Sequence, residues 1–143
     1  MNAIASRLTR QALSRGVSLR LLCLLVSFPF WMSGLAKIFD WNNTLSTMTR
    51  VHLSPPTPFA VATILVELLG SATLSAGPYK WLEAIALSSF TALTIPVAHP
   101  FWSQVGTERL ISVEFAMEHV AVIGGLLAVA RLAAVSQRPG AGE

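Results

Sequence analysis

Residues 58–76 read PFAVATILVELLGSATLSA, and the fold turns on how this stretch is read. It has one ionisable side chain, Glu67. At about 1.5 Å per residue a helix of this length reaches roughly 28 Å, close to the hydrocarbon thickness of a bilayer. Three more apolar blocks flank it, at about 18–38, 79–99 and 110–132. Across the 143 residues 53% are hydrophobic and 12% charged, and the mean hydropathy is +0.61. A soluble domain carries about a quarter of its residues as charges, so this chain is built for lipid. The expected fold is all-α, an integral membrane bundle of four transmembrane helices over 18–134. A basic lead-in, 1–17, precedes it and a polar tail, 135–143, follows.

The breaks between blocks carry turn chemistry. The connection 39–57 is rich in Asn, Thr, Ser and Pro and ends at Pro55, Pro56 and Pro58, the last suited to the first turn of a helix. Gly77-Pro78 makes a tight turn, and Tyr79, Lys80 and Trp81 form an interfacial belt. Pro96 is expected to kink or end the third block and Pro100 to close it. A loop, 100–109, holds Phe101, Trp102 and Arg109. In the lead-in, Ile4, Leu8 and Ala12 recur on one side of Arg7, Arg10 and Arg15, which fits either a short interfacial helix or an unstructured arm. A secretory signal peptide competes for the first block, with an apolar run over 21–30 and small residues at 34–36. Cleavage there would strand Lys37, and the block is long enough to cross by itself.

The net charge is +3 and the pI about 9.8. The basic residues lie between or outside the blocks with no basic–aromatic stripe, which excludes a nucleic-acid surface. They set topology instead. Arg7, Arg10, Arg15, Arg20, Lys80, Arg131 and Arg138 fall on one side of a four-span chain, and Lys37, Arg50 and Arg109 on the other. Basic loops stay inside, so both termini are expected in the cytoplasm. The single cysteine, Cys23, excludes an internal disulfide, a CxxC pair and an iron–sulfur site. Redox chemistry would need a borrowed cofactor or a partner. There is no phosphate loop, no HExxH and no nucleophile triad.

Charges inside spans cost roughly 2.5–3.5 kcal/mol each at the bilayer centre, so they call for a reason. Glu83 is one turn into its span and reaches the headgroups; Lys37 can snorkel from the outer end of the first. Glu67 lies roughly 13 Å deep and Glu118 roughly 12 Å deep from the same side, so the two could meet inside the bundle. Glu114 stands one turn nearer the outside on the face of Glu118, and His119 is turned about 100° from it. Ser33 and Lys37 are i, i+4 neighbours, and Lys37 could lean inward as counter-charge. The result is a candidate polar pocket with three readings: hydrogen-bonded glue between helices, a proton or quinone site, or a metal site. Candidate catalytic groups are Glu67, Glu118 and His119; candidate cofactor-binding groups are Lys37, Glu67, Glu114 and Glu118; candidate metal ligands are Glu114, Glu118 and His119. His52 and His99 are expected in loops or at the interface. Gly34, Gly70 and Gly124-Gly125 are expected where helices approach closely.

Arg20, Phe30 and the run Ser33-Gly34-Leu35-Ala36-Lys37 resemble the opening of DoxX/DoxD-type membrane proteins. Val66-Glu67-Leu68-Leu69-Gly70 with Gly77, His99 with Phe101-Trp102, and Gly124-Gly125-Leu126-Leu127 continue the resemblance in order over about 18–132. It implies a four-helix bundle in the bacterial cytoplasmic (inner) membrane. The family takes its name from a thiosulfate:quinone oxidoreductase, and some relatives join membrane oxidoreductase complexes. The resemblance therefore implies a subunit or accessory of a quinone-linked oxidoreductase system, with lipid around it and a redox protein or further copies of itself as partners. Quinone is the cofactor so implied, ahead of a metal ion. The alternative is a non-enzymatic protein that binds or passes a small ligand or metal ion, or scaffolds a complex. On family grounds Lys37, Glu67 and the polar pair of span four carry over. Glu118-His119 departs from the pattern, since a basic or amide residue more often precedes the Gly-Gly; the swap makes the pocket more acidic and disfavours an anion such as thiosulfate.

Overall fold

The computed structural model describes the backbone of residues 2–136 and the side chains of 18–136. It contains five helices: α1 (Asn2–Phe39), α2 (Trp41–Arg50), α3 (Pro56–Ala76), α4 (Lys80–Ala98) and α5 (Gly106–Ser136). Four are long and apolar enough to cross a bilayer, over Ser18–Phe39, Pro56–Ala76, Lys80–Ala98 and Gly106–Ser136. The protein is an all-α, multi-pass membrane protein. Their outward faces carry large exposed apolar side chains such as Leu25, Leu69, Leu93 and Leu127, which water would not tolerate in such number and lipid does.

The helices pack in a ring, with α1 against α3, α3 against α4, α4 against α5 and α5 back against α1. Close approach rests on glycine where a side chain would collide. A Cβ on Gly34 would stand 2.7 Å from Leu68, one on Gly70 2.9 Å from Leu87, and one on Gly125 2.9 Å from Val26. Gly124, expected beside Gly125 at a helix contact, faces open space instead; consecutive residues point about 100° apart on a helix, so one of the pair turns away.

Several boundaries differ from the sequence expectation. α1 begins at Asn2, so the lead-in backbone continues the first span as one helix; the arginine-rich face and the tail from 137 onward lie outside the described residues. The expected connection 39–57 contains α2, whose N-cap Asp40 accepts a hydrogen bond from the Asn43 amide at 3.4 Å. Thr44 and Met48, one turn apart, are its buried face. Pro56 and Pro58 both sit in the first turn of α3, where no amide is needed. Pro96 neither ends α4 nor stands at its boundary; the helix runs on to Ala98, and His99 still donates its amide to Ile95. α5 starts four residues before the expected Leu110 and ends four after Leu132.

The bundle has two unlike halves. Away from α2, Cys23, Leu74, Ala84, Leu87, Leu126, Val129 and Ala130 close into an apolar core. Toward α2 the same four spans separate around a cavity.

Candidate functional site

Spacing on each helix builds that cavity. Pro29, Phe30 and Ser33 project from α1, Glu67 from α3, Phe90, Thr91 and Thr94 from α4, and Phe115, Glu118, His119 and Val122 from α5. Offsets of three and four residues align most of each set on one helix face, and the adjacent residues Pro29, Phe90 and Glu118 or His119 widen that face to its edges. The cavity measures about 280 Å³. Its apolar walls are three phenylalanines, a proline and a valine, and its polar groups come from all four spans.

Glu67 is 6% exposed. A carboxylate at that depth needs partners, and it has three bonds. Lys37 Nζ lies 3.0 Å from each of its oxygens and Ser33 Oγ donates to Oε1 at 3.1 Å. Lys37 also donates to Ser33, closing a triangle. Among the described residues this is the one ion pair. Lys37 thus reaches inward from the last turn of α1 and discharges onto Glu67.

The structure gathers part of the expected site. Glu67, Glu118 and His119 line one cavity. Glu118 accepts no hydrogen bond from any described residue. Glu114 is exposed and does not line the cavity, although it shares a helix stripe with Glu118. Among the described residues no three His, Cys, Asp or Glu side chains converge as metal donors, so Glu114, Glu118 and His119 are not assembled into a centre. His52 lies in the turn after α2 with φ 61°, exposed and away from the cavity.

His99 follows α4, in the loop position expected of it, and its ring packs behind the α5 wall of the cavity. Its ring stacks on Phe115 with centroids 5.0 Å apart and meets His119 edge-on at 5.1 Å. Burial and the neighbouring His119 hold its imidazole below the ordinary pKa. His119 Nδ1 is 2.7 Å from the Phe115 carbonyl. A carbonyl only accepts, so Nδ1 carries the proton and Nε2 of the neutral ring keeps its lone pair.

A second, smaller cavity of about 230 Å³ lies between the end of α1 and α2, lined by Ser33, Ala36, Lys37, Asp40, Asn43, Thr44, Thr47 and Met48. Ser33 lines both spaces. Thr44 donates its hydroxyl to the carbonyls of Lys37 and Asp40, holding α2 against the end of α1. This vestibule is hidden in the sequence, because the Asn, Thr, Ser and Pro content of the connection favours a loop; the signal that could have found it is Asp40 as a cap followed by apolar or small residues at 41, 44, 45 and 48.

The DoxX family model matches residues 18–100. The chain belongs to the DoxX family. The DoxX match takes in Ser33, Lys37, Asp40, Glu67, α2 and His99, and stops short of α5, so Glu118, His119 and Gly124-Gly125 lie beyond it. No curated protein matches the chain, and no solved structure does.

Proposed function

We propose that this DoxX-family chain is a subunit or accessory of a quinone-linked membrane oxidoreductase system, with a quinone headgroup as the occupant of the cavity. The observation that carries this is the composition of the walls. A headgroup is a flat ring with polar oxygens at its ends, and Phe30, Phe90 and Phe115 offer ring faces while Glu67, Glu118 and His119 offer polar atoms across the same space. Glu67 and Glu118 would exchange protons with the headgroup, His119 Nε2 would accept a hydrogen bond from it, and Lys37 would set the charge of Glu67. Electrons would pass to or from a partner redox protein, since Cys23 is alone and buried. The balance of basic residues supports cytoplasmic termini, and membership of the DoxX family supports a bacterial inner-membrane setting.

The test is retention and turnover. Protein purified in mild detergent should hold quinone on solvent extraction, and Glu67→Gln or Phe115→Ala should lose most of it and slow quinol oxidation in cells. Quinone-free wild-type protein, together with unchanged oxidation in the Glu67→Gln strain, would remove the proposal.

A second reading is a non-enzymatic ligand-binding or scaffolding protein. It draws on the closed Ser33–Lys37–Glu67 triangle, which is also what a hydrogen-bonded helix clamp requires. The apolar half beyond Leu87 and Leu126 favours binding over passage through the bundle. Equal metal content in wild type, Glu118→Ala and His119→Ala would eliminate its metal-ion form.

A further inference from the structure

Lys37 stands within reach of two carboxylates. One is Glu67, which it contacts in the closed triangle. The other is Asp40, three residues on, which shares the vestibule with it. The amide of Asp40 donates to the Ala36 carbonyl at 2.9 Å, so the helical turn of α1 carries through to Asp40 and places the pair at i, i+3, a spacing at which side chains meet. The lysine has a flexible four-carbon stem, and among the described residues its ammonium is the one cation that lines the vestibule beside Asp40.

We propose that Asp40 is a positioning residue, the second station of Lys37: the ammonium moves between Glu67, facing the bundle cavity, and Asp40, in the vestibule, and its position follows the protonation of Glu67. A proton entering from the aqueous phase on the α2 side neutralises Glu67. The ammonium then loses its reason to stay in the apolar half of its range and turns to Asp40, keeping its own proton. The net change is one proton gained by Glu67. Loss of that proton calls Lys37 back, because an unpaired carboxylate at that depth is costly.

The vestibule suits this role better than that of an anion site. Beside one ammonium it holds a carboxylate, which would repel an anion, and a set of neutral groups, Ser33, Asn43, Thr44 and Thr47, that suit water. The other titratable groups facing Glu67 are Glu118 and His119 on α5, with His99 behind His119; α4 contributes Phe90, Thr91 and Thr94, none of which titrates near neutrality. The consequence for the cavity rests on the headgroup reading. Paired with Lys37, Glu67 only accepts hydrogen bonds; protonated and released, it donates one, as a quinone carbonyl needs.

The chain is suited to a direct test. Asp40 is its one aspartate, and Lys37 and Lys80 are its two lysines, at opposite ends of the bundle. Solid-state NMR on protein in lipid, labelled with lysine ¹⁵Nζ, aspartate ¹³Cγ and glutamate ¹³Cδ, reads both stations. In the wild type at neutral pH the lysine nitrogen should couple to a glutamate carboxyl and not to Asp40; in Glu67→Gln it should couple to Asp40. Acidifying the wild type should transfer the coupling in the same direction, which covers the case in which Glu67→Gln does not fold. Asp40→Asn, which still caps α2, should leave Lys37 uncoupled from position 40 under both conditions. An Asp40 carboxyl remote from lysine nitrogen in both Glu67→Gln and acidified wild type would overturn the proposal. None of these readings needs quinone, so the two-station lysine and the headgroup site fail separately.

Discussion

His99 and His119 come from opposite sides of a helix–loop–helix connection, yet their rings meet at 5.1 Å, and Phe115 lies stacked under His99. Protonating His99 would put a charge into this half-buried group beside a second imidazole, which is why its pKa falls below 6.5 in the folded protein. The folded state therefore holds fewer protons than the unfolded one in that range. Stability from the neutral ring is fully present above the ordinary imidazole pKa and is lost as the pH falls through the lower folded value. Thermal melts in detergent between about pH 7.5 and pH 5 should show this decline in the wild type and a flatter profile in His99→Phe. Parallel profiles would show that His99 does not carry it.

Lys37 and Glu67 should be coupled in stability. Removing Lys37 leaves a buried carboxylate with Ser33 alone, and removing Glu67 leaves an ammonium that can turn to the vestibule. Lys37→Met should therefore cost more than Glu67→Gln, on the order of 1–3 kcal/mol against less than about 1 kcal/mol. The double variant should cost less than the two added together. A double-mutant cycle from equilibrium unfolding in lipid decides it; additive losses would mean that the pair contributes no coupling energy.

The glycines are unequal. Gly34→Val should cost roughly 1–3 kcal/mol by forcing Leu68 aside. Gly124→Ala, in open space, should be neutral or gain up to about 1 kcal/mol from helix propensity. Melting temperatures of the two variants give the comparison, and equal shifts would contradict the packing described for α1 and α3.

Access should be one-sided. Cys23 is fully buried in the apolar half and should resist a water-soluble maleimide in intact membranes. Thr47→Cys in a Cys23→Ala background should be labelled from the α2 side, and Thr94→Cys should follow more slowly. Labelling of Cys23 in the native membrane protein would mean that water crosses the apolar half.

Much of the membrane architecture is legible in the sequence because lipid imposes a simple length rule on apolar runs. The pairing of Glu67 with Lys37 was also within reach, since an acid that deep requires a cation and Lys37 is the nearest at the correct end. α2 was not legible: Asn42, Asn43, Thr44, Ser46, Thr47 and Thr49 have modest helix propensity, and the helix is held by its cap, its buried Thr44 and Met48, and hydroxyl bonds to the end of α1. Glu114 misled because a shared stripe on α5 does not mean a shared cavity; the space opens at Phe115, and Glu114 falls outside it. His99 was obscured by its place after α4, a position that only the tertiary packing of α5 turns toward His119.

The unlike halves of the bundle also shape how voltage acts on it. A transmembrane potential drops mainly where polarisable water and charge are scarce, which here is the layer containing Leu74, Leu87 and Leu126. Moving an elementary charge through the whole field is worth about 2.3 kcal/mol per 100 mV. A proton that reached Glu67 by way of the vestibule, past Asn43, Thr44, Thr47 and Ser33, would cross little of that drop. Protonation of Glu67 should accordingly track the acidity of one compartment and be nearly blind to membrane energisation.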